Sequence, residues 1–141
     1  MQSHNGMDHP DLKEYEASID SFATLGVKVS MTELDINILP QPQHFNGAGV
    51  EQNFEYQKQL NPYADGLPAK VQKQLDDRWL AFYNIYKKHA SQIERITLWG
   101  LTDGDSWLND WPVRGRTNYS LLFDRDYNAK PVVNEIINIF K

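Results

Sequence analysis

Two hydrophobic periods alternate along the chain. Met1 to His9 is short and polar and reads as the end of a strand or a loop. From about Pro10 to Leu25, Leu12, Tyr15, Ile19, Phe22 and Ala23 recur at three- and four-residue spacing, which predicts one apolar helix face. Pro10 suits an early helical position, and Asp11 and Glu14 suit the first turn, where the helix dipole favours carboxylates. Gly26 suits the C-terminal cap. Val27 to Leu34 is rich in β-branched residues and predicts a strand. Period two puts Val27, Val29 and Met31 on one face and carries Glu33 and Asp35 onto that same face at the C-terminal end.

Residues 40 to 70 are broken by Pro40, Pro42, Pro62, Pro68, Gly47, Gly49 and Gly66, and predict a long loop. Its aromatics, Phe45, Phe54, Tyr56 and Tyr63, point to an ordered, packed one. Val71, Leu75, Trp79, Phe82 and Tyr86, with Ile85 beside them, form the stripe of a second helix that ends near Lys87, Lys88 and His89. Ile93 to Leu101 contains Ile96-Thr97-Leu98-Trp99-Gly100-Leu101 and predicts a second strand of buried type. Thr102 to Arg125 is another long loop, and Pro131 opens a last helix with Val132, Val133, Ile136, Ile137 and Phe140 on its apolar positions. Alternating helices and strands predict an α/β fold with a parallel sheet. Both long loops follow strands, which is where α/β barrels carry their active sites.

Composition narrows the function classes. With 14 Lys plus Arg against 19 Asp plus Glu, the formal net charge is -5, and no basic patch suggests nucleic acid as a partner. No apolar run approaches the ~18–20 residues of a membrane span. The absence of cysteine removes disulfides, thiol catalysis and Cys-based metal sites. His4, His9, His44 and His89 show no ligand spacing, so no metal is expected. Neither a Gly-rich phosphate loop nor a G-x-S-x-G motif is present, and no cofactor is implied.

Two constellations remain. Glu33, in Met31-Thr32-Glu33-Leu34-Asp35, ends an apolar strand where barrel enzymes place catalytic groups; position alone also allows a solvated strand-end acid. Asp35 could orient a neighbour. Trp99 and Trp107 bracket Asp103 and Asp105. Flat indoles flanked by carboxylates suit a sugar, whose C–H face packs on the ring while its hydroxyls meet polar groups. Both tryptophans could instead be core, which is the commoner place for a lone tryptophan. Trp79 is core by its place on the helix stripe, and Trp111, beside Pro112, is expected to pack the loop.

These segments resemble glycoside hydrolase family 10, the β-1,4-xylanases. Leu25-Gly26-Val27-Lys28-Val29 with Thr32-Glu33-Leu34-Asp35 is similar to that family's nucleophile strand, and Leu60-Asn61-Pro62-Tyr63-Ala64-Asp65-Gly66-Leu67-Pro68 is also similar. Trp99-Gly100-Leu101-Thr102-Asp103-Gly104-Asp105-Ser106-Trp107, then Trp111-Pro112-Val113-Arg114-Gly115-Arg116-Thr117 and Leu121-Leu122-Phe123-Asp124, resemble its last strand and loop. Gln2-Ser3-His4 resembles the end of its sixth strand. The resemblance implies a (β/α)8 barrel that hydrolyses internal bonds of xylan with retention. It makes Glu33 the nucleophile, His4 and Asp35 its hydrogen-bonded tuning pair, Gln2 a lining residue, and Trp99 and Trp107 the walls of the xylose subsites.

A retaining site needs a second carboxyl group ~5–5.5 Å from the first. The resemblance places it on the fourth strand, upstream of this region, and gives that role to neither Asp103 nor Asp105. Eight-stranded barrels take about 250 residues. The 141 residues are therefore expected to be the C-terminal portion, about strands six to eight with their helices, as one domain segment. Such a piece has an open sheet edge and is expected to associate with the N-terminal part of the barrel or with a second copy. The expected partner is xylan or a xylo-oligosaccharide, and a non-catalytic carbohydrate-binding piece is the alternative. Because polymeric xylan stays outside cells, the parent is expected to be secreted, periplasmic or on the cell surface, with its export signal outside this chain.

Overall fold

The computed structural model describes residues 1–46 and 51–141. Gly47 and Gly49, read above as loop breakers, lie outside the described residues. The elements are β1 (Gln2–Gly6), α1 (Leu12–Ala23), β2 (Val29–Asn37), α2 (Ala69–Lys88), β3 (Ile93–Leu98) and α3 (Val132–Ile139), with short 3-10 turns at Lys58–Leu60 and Trp107–Asn109. The three strands form one parallel sheet in the order β1-β2-β3.

The chain turns into α1 later than the sequence predicts. Pro10 precedes the helix, and the Asp11 carboxylate accepts from the backbone N–H of Lys13 and Glu14 at 2.9 and 3.2 Å. This is a side-chain cap on the free N-terminal amides. Tyr15 and Ile19 are buried as expected, but Phe22 is 45% exposed. Val27 is also exposed and lies outside the strand; the ladder starts where the Val29 N–H donates to the Gln92 carbonyl. β2 extends past Leu34 to Asn37 because β1 continues beside it, pairing His4 with Asp35 and Gly6 with Asn37.

The strict alternation expected for β2 breaks at Glu33. The register with β3 shifts between Met31 and Leu34, and Glu33 has a φ of 58°, in the left-handed region. A bulge of this kind inserts a residue and rephases the strand. Val29, Met31, Leu34 and Ile36 therefore all join the hydrophobic core, while Glu33 and Asp35 reach the same histidine in β1. The two carboxylates share a face with each other and not with Val29 and Met31.

The core lies between the sheet and α1, α2 and α3. Leu75, Trp79 and Phe82 have no exposure, and Tyr86 is nearly as buried. The Tyr15 and Tyr86 hydroxyls meet at 3.0 Å inside it. β3 ends at Leu98, short of the predicted Leu101, and has no fully buried residue, so it is an edge strand and not the buried type expected. Gly100 turns the chain there with a φ of 134°; a Cβ at that position would stand 2.8 Å from Leu121 Cδ1. The long loops pack. Phe45 meets Trp111 edge-on at 5.2 Å, and the Tyr119 hydroxyl donates to the Tyr63 carbonyl at 3.0 Å. No helix of the described residues is long and apolar enough to cross a membrane.

On the helix side, His89 caps α2 and joins it to α1 through Glu16, with Nε2 to Oε1 at 2.8 Å. Burial opposes a charge on His89, but Glu16, Gln92 and Asp20 outweigh it and raise its pKa above 6.5. Stabilisation by a group raised in the folded state is complete below the unfolded pKa and is lost as pH rises through the folded one. Denaturation is therefore expected to show lower stability at pH ~8 than at pH ~6, with His89→Gln reducing that difference. A slope unchanged by the substitution would assign it elsewhere. Trp79→Ala is expected to cost about 3–5 kcal/mol, measured from the denaturant midpoint.

Candidate active site

β1, the middle and later part of β2, and the loop after β3 meet at one cluster; because β2 runs on to Asn37, Glu33 lies in mid-strand and not at the strand end that the sequence predicts. Gln2 and His4 come from β1, Glu33 and Asp35 from β2, and Trp107 from the 3-10 turn. The Gln2 amide donates to Glu33 Oε2 at 2.7 Å. His4 Nε2 lies 2.9 Å from that same oxygen, and His4 Nδ1 lies 3.0 Å from both oxygens of Asp35. The Trp107 indole N–H donates to Asp35 Oδ2 at 2.8 Å. Glu33 and His4 are each about a quarter exposed, whereas Asp35 is fully buried.

Both ring nitrogens of His4 therefore face carboxylate oxygens. A neutral imidazole can donate from one nitrogen only, while the protonated ring satisfies both. Burial is the largest influence on His4 and opposes its charge; Asp35 and then Glu33 outweigh it, and its pKa is raised. The Glu33 carboxyl is held below the usual carboxylate range, first by the Gln2 amide; burial opposes this, and the His4 hydrogen bond and charge add to the lowering.

The aromatic side of the site is a layered wall. Trp107 leans on His4 with centroids 4.8 Å apart, and Trp99 meets the same ring edge-on at 6.2 Å. Trp99 is 46% exposed, which removes the core alternative for it. Trp111 stacks on Trp107 at 4.6 Å with 17° between planes. His4, Asp35, Trp107 and Trp111 line part of a cleft of about 790 Å³.

Asp103 and Asp105 do not flank the indoles. Asp103 is buried in an ion pair with Lys130 at 2.8 Å and accepts from the Leu121 N–H. Asp105 accepts from Thr102. Among the described residues no group of three His, Asp or Glu side chains is placed to hold a metal. Two features are missing from the sequence reading: Trp111 as a second indole plate, and the loop contacts of Arg116 and Asn118. A tryptophan four residues after Trp107, in a turn, was the available signal for the first. Nothing local marked the second, because the contacts that tie this loop to the segment leaving β2 run between Arg116 and the Pro40 carbonyl and between Asn118 and the Ile38 amide, far along the chain.

Three parallel strands, each followed by a helix, with long loops after β2 and β3 beside the polar cluster, are the make-up of part of an α/β barrel. The family profile of glycosyl hydrolase family 10 matches residues 1–139, and the chain belongs to that family. It is 54% identical over its whole length to endo-1,4-beta-xylanase A of Xylanibacter ruminicola, covering 38% of that protein. It is 32% identical to an endo-1,4-beta-xylanase of Geobacillus stearothermophilus over 99% of its length, covering 37% of that protein. Among solved structures, a GH10 endoxylanase from a sugarcane soil metagenome superposes with a TM-score of 0.93 at 42% identity, over 99% of this chain and 40% of that one. The chain thus spans less than two-fifths of the curated relatives named here.

Gln2→Ala is expected to raise the Glu33 pKa, and Asp35→Asn to lower that of His4. NMR titration of the two side chains measures both shifts. No movement in either would show that these hydrogen bonds do not set the charge state.

Proposed function

We propose that this chain is the nucleophile-bearing segment of a retaining endo-β-1,4-xylanase acting on xylan or xylo-oligosaccharides. The observation that carries the reading is Glu33, an acid held in its charged form by Gln2 and by His4, whose ring in turn meets the Trp99 and Trp107 indoles. Among the described residues, both hydrogen bonds to Glu33 fall on Oε2. Oε1 is then the attacking atom. It forms a bond to the anomeric carbon as the bond to the leaving oxygen breaks, and a general acid gives that oxygen its proton. The same group, now a base, takes a proton from water as water displaces Glu33. His4⁺ stabilises the carboxylate that leaves, and Asp35 and Trp107 fix the ring that does so. Trp99 and Trp107 pack against the sugar faces.

The general acid is proposed to come from outside these 141 residues. Asp35 is buried and engaged by His4 and Trp107, and Asp103 is engaged by Lys130, so neither supplies a free carboxyl. On this reading the chain alone is inactive and at most binds carbohydrate. It works when the open edges of β1 and β3 meet the rest of a barrel, supplied by the N-terminal part or by a second copy. A polymeric substrate puts the working enzyme outside the cytoplasm, secreted, periplasmic or at the cell surface.

The test joins this segment to the upstream strands of the Xylanibacter ruminicola xylanase, its 54%-identical relative. The joined protein is expected to hydrolyse xylo-oligosaccharides and to release β-anomers first by NMR. The segment alone is expected not to. Glu33→Gln is expected to reduce the rate by more than about a thousandfold. Hydrolysis that survives Glu33→Gln, or α-anomers as first product, would defeat the proposal.

A further inference from the structure

The loop that carries the indole wall is held by a buried cation. Arg116 is 4% exposed. Its Nη1 donates to the Pro40 carbonyl at 3.2 Å, and its Nη2 donates to the carbonyls of Trp111 at 2.9 Å and Leu108 at 3.5 Å. Its own backbone N–H donates to the Asn109 carbonyl at 2.8 Å. Among the described residues no carboxylate pairs with it. A charge buried without a counter-ion is unfavourable, and an apolar side chain of similar size would fill the same space without that cost.

The placement of the three carbonyls gives the cation a task. Leu108 directly follows Trp107, and Trp111 is the second plate of the stack. Pro40 lies in the segment that leaves β2, the strand of Glu33 and Asp35. One planar guanidinium therefore spans the indole-bearing loop and the strand that carries the acids. The contact that needs this spacing is the Trp107 indole N–H on Asp35 Oδ2, since an indole donor is directional and has one hydrogen. We propose that Arg116 is the positioning residue of the indole wall: its fork holds Trp107 and Trp111 at a fixed distance from β2, and so sets how tightly the sugar is gripped. The inference rests on the xylanase reading above. Lysine is a poor substitute, because a point charge on a flexible stem cannot hold carbonyls on two segments in one plane.

The experiment uses the complete barrel described above and measures kcat and KM on a linear xylo-oligosaccharide. The variants are Arg116→Met, Arg116→Lys, Trp107→Ala and the Arg116→Met/Trp107→Ala pair. Arg116→Met is expected to lower kcat/KM about ten- to a hundredfold, mainly through KM, as the loss of hydrogen bonds to a charged group implies. Arg116→Lys is expected to recover only a small part of that loss. The double variant is expected to be no worse than Trp107→Ala alone, because both changes remove the same wall. A cooperative melt confirms folding, and if Arg116→Met does not fold, Arg116→Lys enters the same double-variant comparison.

Wild-type kcat/KM in the Arg116 variants, with Trp107→Ala impaired, would overturn the proposal and leave the xylanase reading standing. So would losses that multiply in the double variant, the mark of an effect that bypasses the indole. An unimpaired Trp107→Ala would instead remove the indole wall from the functional reading, and Arg116's role with it.

Discussion

A buried carboxyl group ties this molecule together. Asp35 has no exposure, and a buried polar group without partners is costly. Its partners come from two distant segments: the His4 imidazole on β1 and the Trp107 indole N–H after β3. To satisfy Asp35, the chain must bring β1, β2 and the loop after β3 to one point. The same imidazole then has its other nitrogen free for Glu33. The imidazole that satisfies Asp35 thereby also supports the charge of the partly exposed Glu33, alongside the Gln2 amide.

The bulge at Glu33 makes this arrangement possible. Without the register shift, the acids would follow Met31 into the hydrophobic core between sheet and helices. With it, Leu34 and Ile36 take the core positions and the acids turn to His4. A positive φ at a non-glycine residue is uncommon and costs of order 1–3 kcal/mol. The surrounding packing, with Leu34, Asp35 and Ile36 all fully buried, leaves the backbone no relaxed alternative. The strain therefore coincides with the residue proposed as the nucleophile.

The rest of the polar interior fixes loops. Asn118 accepts from the Ile38 N–H and donates to Asn37 Oδ1, Asn61 accepts from the Thr117 N–H, and Lys130 holds Asp103 and two backbone carbonyls. The Asn118 and Asn61 contacts join residues on different loops or strands, and Lys130 ties the segment between β3 and α3 to itself. This is how loops longer than those usual in compact domains present a rigid indole surface.

Local pattern determined much of this. The 3.6-residue stripes of α1, α2 and α3 and the β-branched run of β2 follow from side-chain preference and burial, which act within a few residues. Glu33, Asp35, Trp99 and Trp107 stood out as strand-end and loop residues for the same reason, and the family motifs named their neighbours. The tertiary structure decided what depends on distant partners: the bulge that rephased β2, the exposed edge of β3, and the burial of Asp103 by Lys130. It also decided the contacts of Trp111 and Arg116. A hydrogen bond between residues 40 and 116 or 35 and 107 has no periodic signature, because its geometry exists only once the strands lie side by side.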